Sequence, residues 1–94
     1  MNVVAYRMVN GDEILGREEG QDTNRGTVTL TKVRHLIVQR TQEGLGVTLM
    51  PWVFSDIDTA VTVYTAHIMA TFEPSAETLA SYLQQTTGIA LASA

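Results

Sequence analysis

From Val47 to Phe54 the chain reads Val-Thr-Leu-Met-Pro-Trp-Val-Phe, and only Thr48 is polar. A strand with one face in water alternates apolar and polar residues; one that is apolar on both faces needs dry neighbours on both sides. Ninety-four residues build one domain with a small core, which has trouble covering both faces of a strand by itself. The stretch is therefore expected to pack on its own core with one face and on a partner chain with the other. Charged residues make up 17% of the chain, against roughly 25% in soluble domains, and so little charge again points to a buried interface. Assembly, rather than catalysis, is the first function class to consider.

Charge and motif chemistry narrow the field further. All the basic residues (Arg7, Arg17, Arg25, Lys32, Arg34 and Arg40) lie in the first forty positions, where five acids offset them. From Thr41 on there are only acids: Glu43, Asp56, Asp58, Glu73 and Glu77. A net charge of −4 argues against holding phosphates by bulk electrostatics, so any nucleic-acid site must be local. There is no Cys, hence no disulfide framework, thiolate metal site or Cys nucleophile. No apolar run approaches the ~20 residues of a membrane span, and no signal peptide is expected at the N-terminus. His35 and His67 lack the spacing of a metal pair, and Asp56-Ile57-Asp58 reads as a solvated loop rather than a calcium site. Glu18 and Glu19 point to opposite faces of a strand, and no Ser sits in a nucleophile elbow. No catalytic residue, metal ligand or cofactor is assigned. Lys32, Arg34 and Arg40 share one parity and read as a solvated edge, with a local RNA or protein contact as the functional alternative.

Along the chain, a first strand is expected over residues 3–9, with Val4, Tyr6 and Met8 on one face and Val3, Ala5, Arg7 and Val9 on the other. Asn10-Gly11 predicts a tight turn with positive φ at both central residues. A second strand follows over 13–19, in which Gly16 marks a bend or a close backbone approach. Residues 20–26 read as a loop. Residues 27–41 are too long for an ordinary strand, yet Val28, Leu30, Leu36 and Val38 all fall on even positions. One long strand with a sharp bend near residues 32–35 is expected. A hairpin loop is placed over 42–46, and the apolar strand follows, with Pro51 at an edge or bulge because it has no N–H to give. Residues 55–59 are a polar excursion, 60–64 resume β character, 65–67 form a short turn, and 68–73 are the last strand, with Ile68, Ala70 and Phe72 inward. Ser75 then caps a helix over 76–87, with Glu77 in its first turn, Leu79, Tyr82, Leu83 and Thr86 at helical spacing, and Gly88 as the stop. Residues 89–94 are a mild apolar tail. The fold expected is mainly β: a small, strongly bent five-stranded antiparallel barrel over about 3–73, with a C-terminal helix, in a single domain over 1–94.

The ordered set of features resembles the Sm-like (LSm) family. The first strand, Asn10-Gly11-Asp12-Glu13 and Ile14-Leu15-Gly16-Arg17 look like the first Sm motif. The bent third strand, the variable hairpin and the short turn before Ile68 come in the expected order. More narrowly, Gly11-Asp12-Glu13-Ile14, Gln42 through Gly44-x-Gly46, Met50-Pro51-Trp52, Glu73-Pro74 and Thr87-Gly88-Ile89 are similar to small Sm-like proteins of marine phages. The resemblance covers most of residues 3–89. It implies a non-enzymatic homo-oligomeric ring, made when the fourth strand of one subunit pairs with the fifth of the next. The matching interface positions are Val47, Leu49, Met50, Trp52 and Phe54, against Ile68, Ala70 and Phe72. It also implies single-stranded RNA at loops on one face of the ring, here Asp22, Asn24, Arg25, Tyr64 and His67.

The departures from the family bear on that RNA site. Family members that hold uridine-rich RNA carry Asp-x-x-Met-Asn after the second strand. Here Asp22 matches, but Arg25 and Gly26 replace Met and Asn, leaving Asn24 as a candidate from a shifted register. Tyr64-Thr65 stand where the family has Arg-Gly, so the Arg that would grip base and phosphate is missing, and Tyr64 or His67 would stack on a base instead. The alternative expectation is a phage-associated structural or adaptor ring that binds a phage or host protein rather than RNA. Either way the resemblance places the chain in the host cytoplasm, with no membrane partner.

Overall fold

The computed structural model describes residues 2–88 of the chain, so the tail expected over 89–94 lies outside the described residues. The protein is mainly β, with one antiparallel sheet and a C-terminal helix. The strands are β1 (Val3–Met8), β2 (Glu13–Asp22), β3 (Thr27–Thr41), β4 (Gly44–Pro51), β5 (Val61–Tyr64) and β6 (Ile68–Thr71), followed by α1 (Ala76–Thr87). The sheet order is β4-β3-β2-β1-β6, with β5 also on β3. There are thus six strands rather than five: β4 and β5 are separate strands on different stretches of β3, and a single 3-10 turn at Thr65–His67 joins β5 to β6. The long strand is confirmed: β3 runs unbroken for 15 residues. It has room for three partners because β5 pairs with residues 27–30 and β4 with residues 34–41, end to end along the edge opposite β2.

The sheet has three register shifts, one of them at Glu19 on β2, and the other two decide which apolar side chains meet. Leu15 faces Arg34 and Arg17 faces Thr31, so β3 carries one extra residue opposite Gly16. Lys32 takes up the strain with a φ of 53°. A one-residue slip sends each following side chain to the other face of the sheet. Val28 and Leu30 therefore enter a first core with Tyr6, Met8, Ile14 and Val63, and beyond the bulge it is the odd-numbered Val33 that joins them. Leu36 packs on the opposite face, into a second core with Ala5, Leu15, Leu49 and Tyr82, and Val38 is exposed. The even-numbered run does not form one buried face. Gly16 is closely approached, but by a side chain rather than the backbone expected: a Cβ there would stand 3.2 Å from two side-chain carbons of Leu30, with Thr31 O at an ordinary 3.5 Å.

The second bulge is at Met69, between the pairs Arg7–Ala70 and Met8–Ile68. It corrects the shared inward face expected of the last strand. Ile68 packs on the first core, Phe72 on the second, and Ala70 is exposed.

Turn geometry also departs from expectation in its details. At the first hairpin Gly11 has positive φ (96°) but Asn10 does not. The Gly11 N–H donates to Met8 O at 2.8 Å, and the Met8 N–H donates to Asp12 O at 2.7 Å. That is the longer hairpin loop with its left-handed residue last, not the two-residue primed turn. β2 continues to Asp22, into the stretch expected to be loop, and the β3–β4 turn narrows to Gln42 and Glu43, since Thr41 already pairs with Gly44.

The helix follows its local signals. Ser75 Oγ accepts from the Thr78 N–H at 3.1 Å, and Gly88 closes the C-terminus with φ 73°, its N–H donating to Gln84 O. Tyr82 is fully buried, and its hydroxyl donates to Lys32 O at 2.9 Å. The helix is thereby tied to the bulge that bends β3. The sheet is dry on both faces in its middle: the first core lies on one side, and α1 covers the other.

Candidate functional site

The edges of the sheet form the first candidate surface. β4 ends the strand order on one side and β6 on the other, so each has an outer edge unpaired among the described residues. Pro51 sits on β4, an edge strand, where a missing N–H costs nothing. Apolar side chains crowd these edges. Leu45 is 74% exposed and Val47 55% on β4, and Met69 is 58% exposed on β6. Leu45, Val47 and Leu49 alternate onto one face of β4, but α1 covers only Leu49. Beside the uncovered pair runs an open groove of about 530 Å³, walled by Ser75, Thr78, Ser81 and Gln85 of the helix.

The expected interface residues divide between two roles. Val47 and Phe54 are exposed, and Met50 is half-buried. Leu49 belongs to the second core, and Trp52 packs against the first, its indole N–H donating to Asp12 Oδ2 at 3.0 Å. Leu45, absent from that expected set, is the most exposed apolar residue of the edge. Its shared parity with Val47 was the sequence signal for it.

The second candidate surface joins two loops that are far apart in sequence. The Thr65 N–H donates to Gly26 O at 2.9 Å, and Thr65 Oγ1 donates to the same oxygen at 3.1 Å. This clasp sets residues 22–26 against residues 64–67. Asp22, Arg25 and Tyr64 then line one cavity of about 490 Å³. Tyr64 and His67 meet edge to face, with ring centroids 5.8 Å apart.

Asp22 is not a free ligand group. Its Oδ1 accepts from the N–H groups of Asn24 and Arg25, both at 3.1 Å, and so caps the turn. Its Oδ2 lies 3.8 Å from Arg25 Nε. Arg25 itself is highly exposed, so water screens this pair and the guanidinium is free to swing to a ligand. Chemically the cluster offers one mobile cation and two aromatic faces. Asn24 is exposed at the tip of the turn and does not line the cavity.

Of the three cations read as a solvated edge, Arg34 is not one. It is 5% exposed and is held by Ile57 O at 3.0 Å, Val33 O at 3.2 Å and Asp58 Oδ1 at 3.1 Å. Lys32 Nζ stands 3.8 Å from Asp58 Oδ2, while Arg40 remains exposed. Asp58 therefore pins its loop to β3, where the sequence suggested a merely solvated loop. Nothing local in the sequence separates Arg34 from Lys32 and Arg40 on the same strand. Among the described residues no group of three or more His, Cys, Asp or Glu side chains is placed to hold a metal ion, and no helix is long and apolar enough to cross a membrane.

The fold and these surfaces define a mainly-β antiparallel domain with open apolar edges and one composite loop face. No family model matches the chain, and no curated protein matches it.

Proposed function

We propose that this protein is a non-enzymatic subunit of a homo-oligomeric ring of the Sm-like type. In this reading the curled sheet works as a small barrel, closed through the covalent link from β5 on β3, by way of Thr65–His67, to β6 on β1. The supporting observation is the pair of unpaired outer edges, β4 on one side of the sheet and β6 on the other, with Leu45, Val47 and Met69 exposed along them. Pairing β6 of one copy with β4 of the next is a head-to-tail contact that covers both of these edges once the ring closes. Val47, Met50, Phe54 and Ala70 are contact positions, while Leu49, Trp52, Ile68 and Phe72 shape the edges from within. The loops at residues 22–26 and 64–67 then gather on one face of the ring and bind single-stranded RNA, with Arg25 on phosphate and Tyr64 or His67 under a base. The ring works in the host cytoplasm.

The test is native mass at low micromolar concentration for the wild type and Val47→Asp. Val47 is chosen over Trp52 because its side chain contributes little to the monomer's own core. A single multi-subunit species that falls to monomer in the variant is the expected result; a monomeric wild type sinks the ring. For the RNA face, Arg25→Glu is expected to weaken binding of a short single-stranded RNA, and no binding by the wild type at low salt removes that part. A second reading, an adaptor ring for a phage or host protein, draws on the net charge of −4 and on Asp22 beside Arg25. It predicts a ring indifferent to RNA that retains a protein partner.

A further inference from the structure

The loop cavity has a floor that the RNA reading leaves unused. Thr27 pairs with Tyr64 and Thr29 with Thr62 across β3 and β5. Val28, Leu30 and Val63 alternate with them into the first core. The three threonines therefore share the opposite face with Tyr64, and all three line the same cavity as Asp22 and Arg25. None of their hydroxyls has a hydrogen-bond partner in the protein among the described residues. Thr27 is buried, at 9% exposure. Its hydroxyl is not a buried orphan but opens on the cavity, as do those of Thr29 and Thr62, and a hydroxyl that lines a cavity without a protein partner is available to water or a ligand.

We infer that this cavity holds one ribonucleotide unit of an RNA strand, and that Thr27, Thr29 and Thr62 select ribose over deoxyribose. The inference rests on the RNA reading above and adds its sugar specificity. The parts of a nucleotide meet matching chemistry. The exposed face of Tyr64 takes the base, the mobile guanidinium of Arg25 takes a phosphate oxygen, and the threonine floor between them faces the sugar. A 2′-hydroxyl both donates and accepts, as does each threonine, and a deoxyribose carries nothing at that position to answer them. Asp22 has only its Oδ2 left to accept, since its Oδ1 is spent on the turn's own N–H groups, and an ionised carboxylate cannot donate as a threonine does. A cavity of about 490 Å³ suits a single nucleotide rather than a folded RNA element.

The experiment is equilibrium binding by the intact protein of a short, unstructured, mixed-sequence RNA and of the DNA of the same sequence with deoxyuridine in place of uridine. The two oligomers then differ only in the 2′-hydroxyl. The wild type is expected to prefer RNA by about fivefold or more, the worth of one or two neutral hydrogen bonds. Thr62→Val and Thr29→Val keep the shape and the strand propensity. They are expected to lower RNA affinity, leave DNA affinity unchanged and shrink the preference. Far-ultraviolet circular dichroism and native mass, unchanged from wild type, show that the variants are folded and assembled. Equal affinity for the two oligomers, or a preference untouched in the Thr29→Val/Thr62→Val double variant, overturns the sugar site while leaving single-strand binding standing. Failure to bind either oligomer overturns both.

Discussion

Tyr82→Ala is expected to destabilise the protein by about 3–5 kcal/mol, the range for truncating a large buried aromatic. Domains of this size have roughly 5–15 kcal/mol in all, so much of the chain would be unfolded or unfold readily. The size follows from position. Tyr82 is the fully buried residue that α1 brings to the second core, and its hydroxyl reaches β3 at the bulge. Tyr82→Phe separates the two contributions: it keeps the ring and leaves Lys32 O without its donor, at about 1–2 kcal/mol.

The same hydroxyl gives the stability an alkaline limit. Burial pushes the Tyr82 phenol up from 10.0 to about 12, opposed by the nearby positive charges of Arg34 and Arg17. The folded state therefore favours the protonated form. That contribution is whole below pH 10 and is lost as pH climbs through 12. Tyr6, raised by burial and then by Glu18, acts in the same direction. Urea midpoints should thus fall for the wild type across this interval, and less steeply for Tyr82→Phe. A Tyr82→Ala midpoint equal to that of the wild type would show that the helix is not seated on the sheet.

Asp58→Ala is expected to cost more than Arg34→Met, although both break the same ion pair. The alanine leaves a guanidinium that is only 6% exposed with backbone carbonyls but no counter-charge. Removing one partner of a buried pair is the costly direction, while replacing the charge by an apolar side chain of similar length is the mild one. Asp58 is half exposed, so water screens part of the attraction and the loss is set at about 2–3 kcal/mol, against about 1 kcal/mol for Arg34→Met. Chemical denaturation of the two variants under one condition measures the order directly. The reverse order would mean that Asp58 contributes little and that Ile57 O and Val33 O suffice for Arg34.

How much of this was legible beforehand varies with the range of the interaction. The helix was legible from Ser75 to Gly88 because capping, dipole and the left-handed stop act within a turn of the backbone. The length of β3, its bend near Lys32 and the close approach at Gly16 were legible from a β-rich run interrupted by charge and from a glycine inside a strand. Pro51 at an edge followed from its missing N–H. At the candidate RNA face, Asp22, Arg25 and Tyr64 were legible as residues, but nothing local said that they share a cavity or that Asp22 is taken up by its own turn.

The sequence by itself determined the broad local conformations: which stretches are β-rich, roughly where they turn, and where the helix starts and stops. Each depends on φ and ψ preferences and on partners a few residues away. Tertiary structure alone decided which side chains became core, which became edge and which became site. The bulges at Lys32 and Met69 shift the strand parity, so Val33 enters the first core while Phe72 leaves it for the second. Arg34 is buried because Asp58 and Ile57 reach it, Trp52 is turned inward by Asp12, and the loop face exists because Thr65 binds Gly26. Those partners are 23 to 40 positions apart in the chain, and only the folded sheet brings them within hydrogen-bond range.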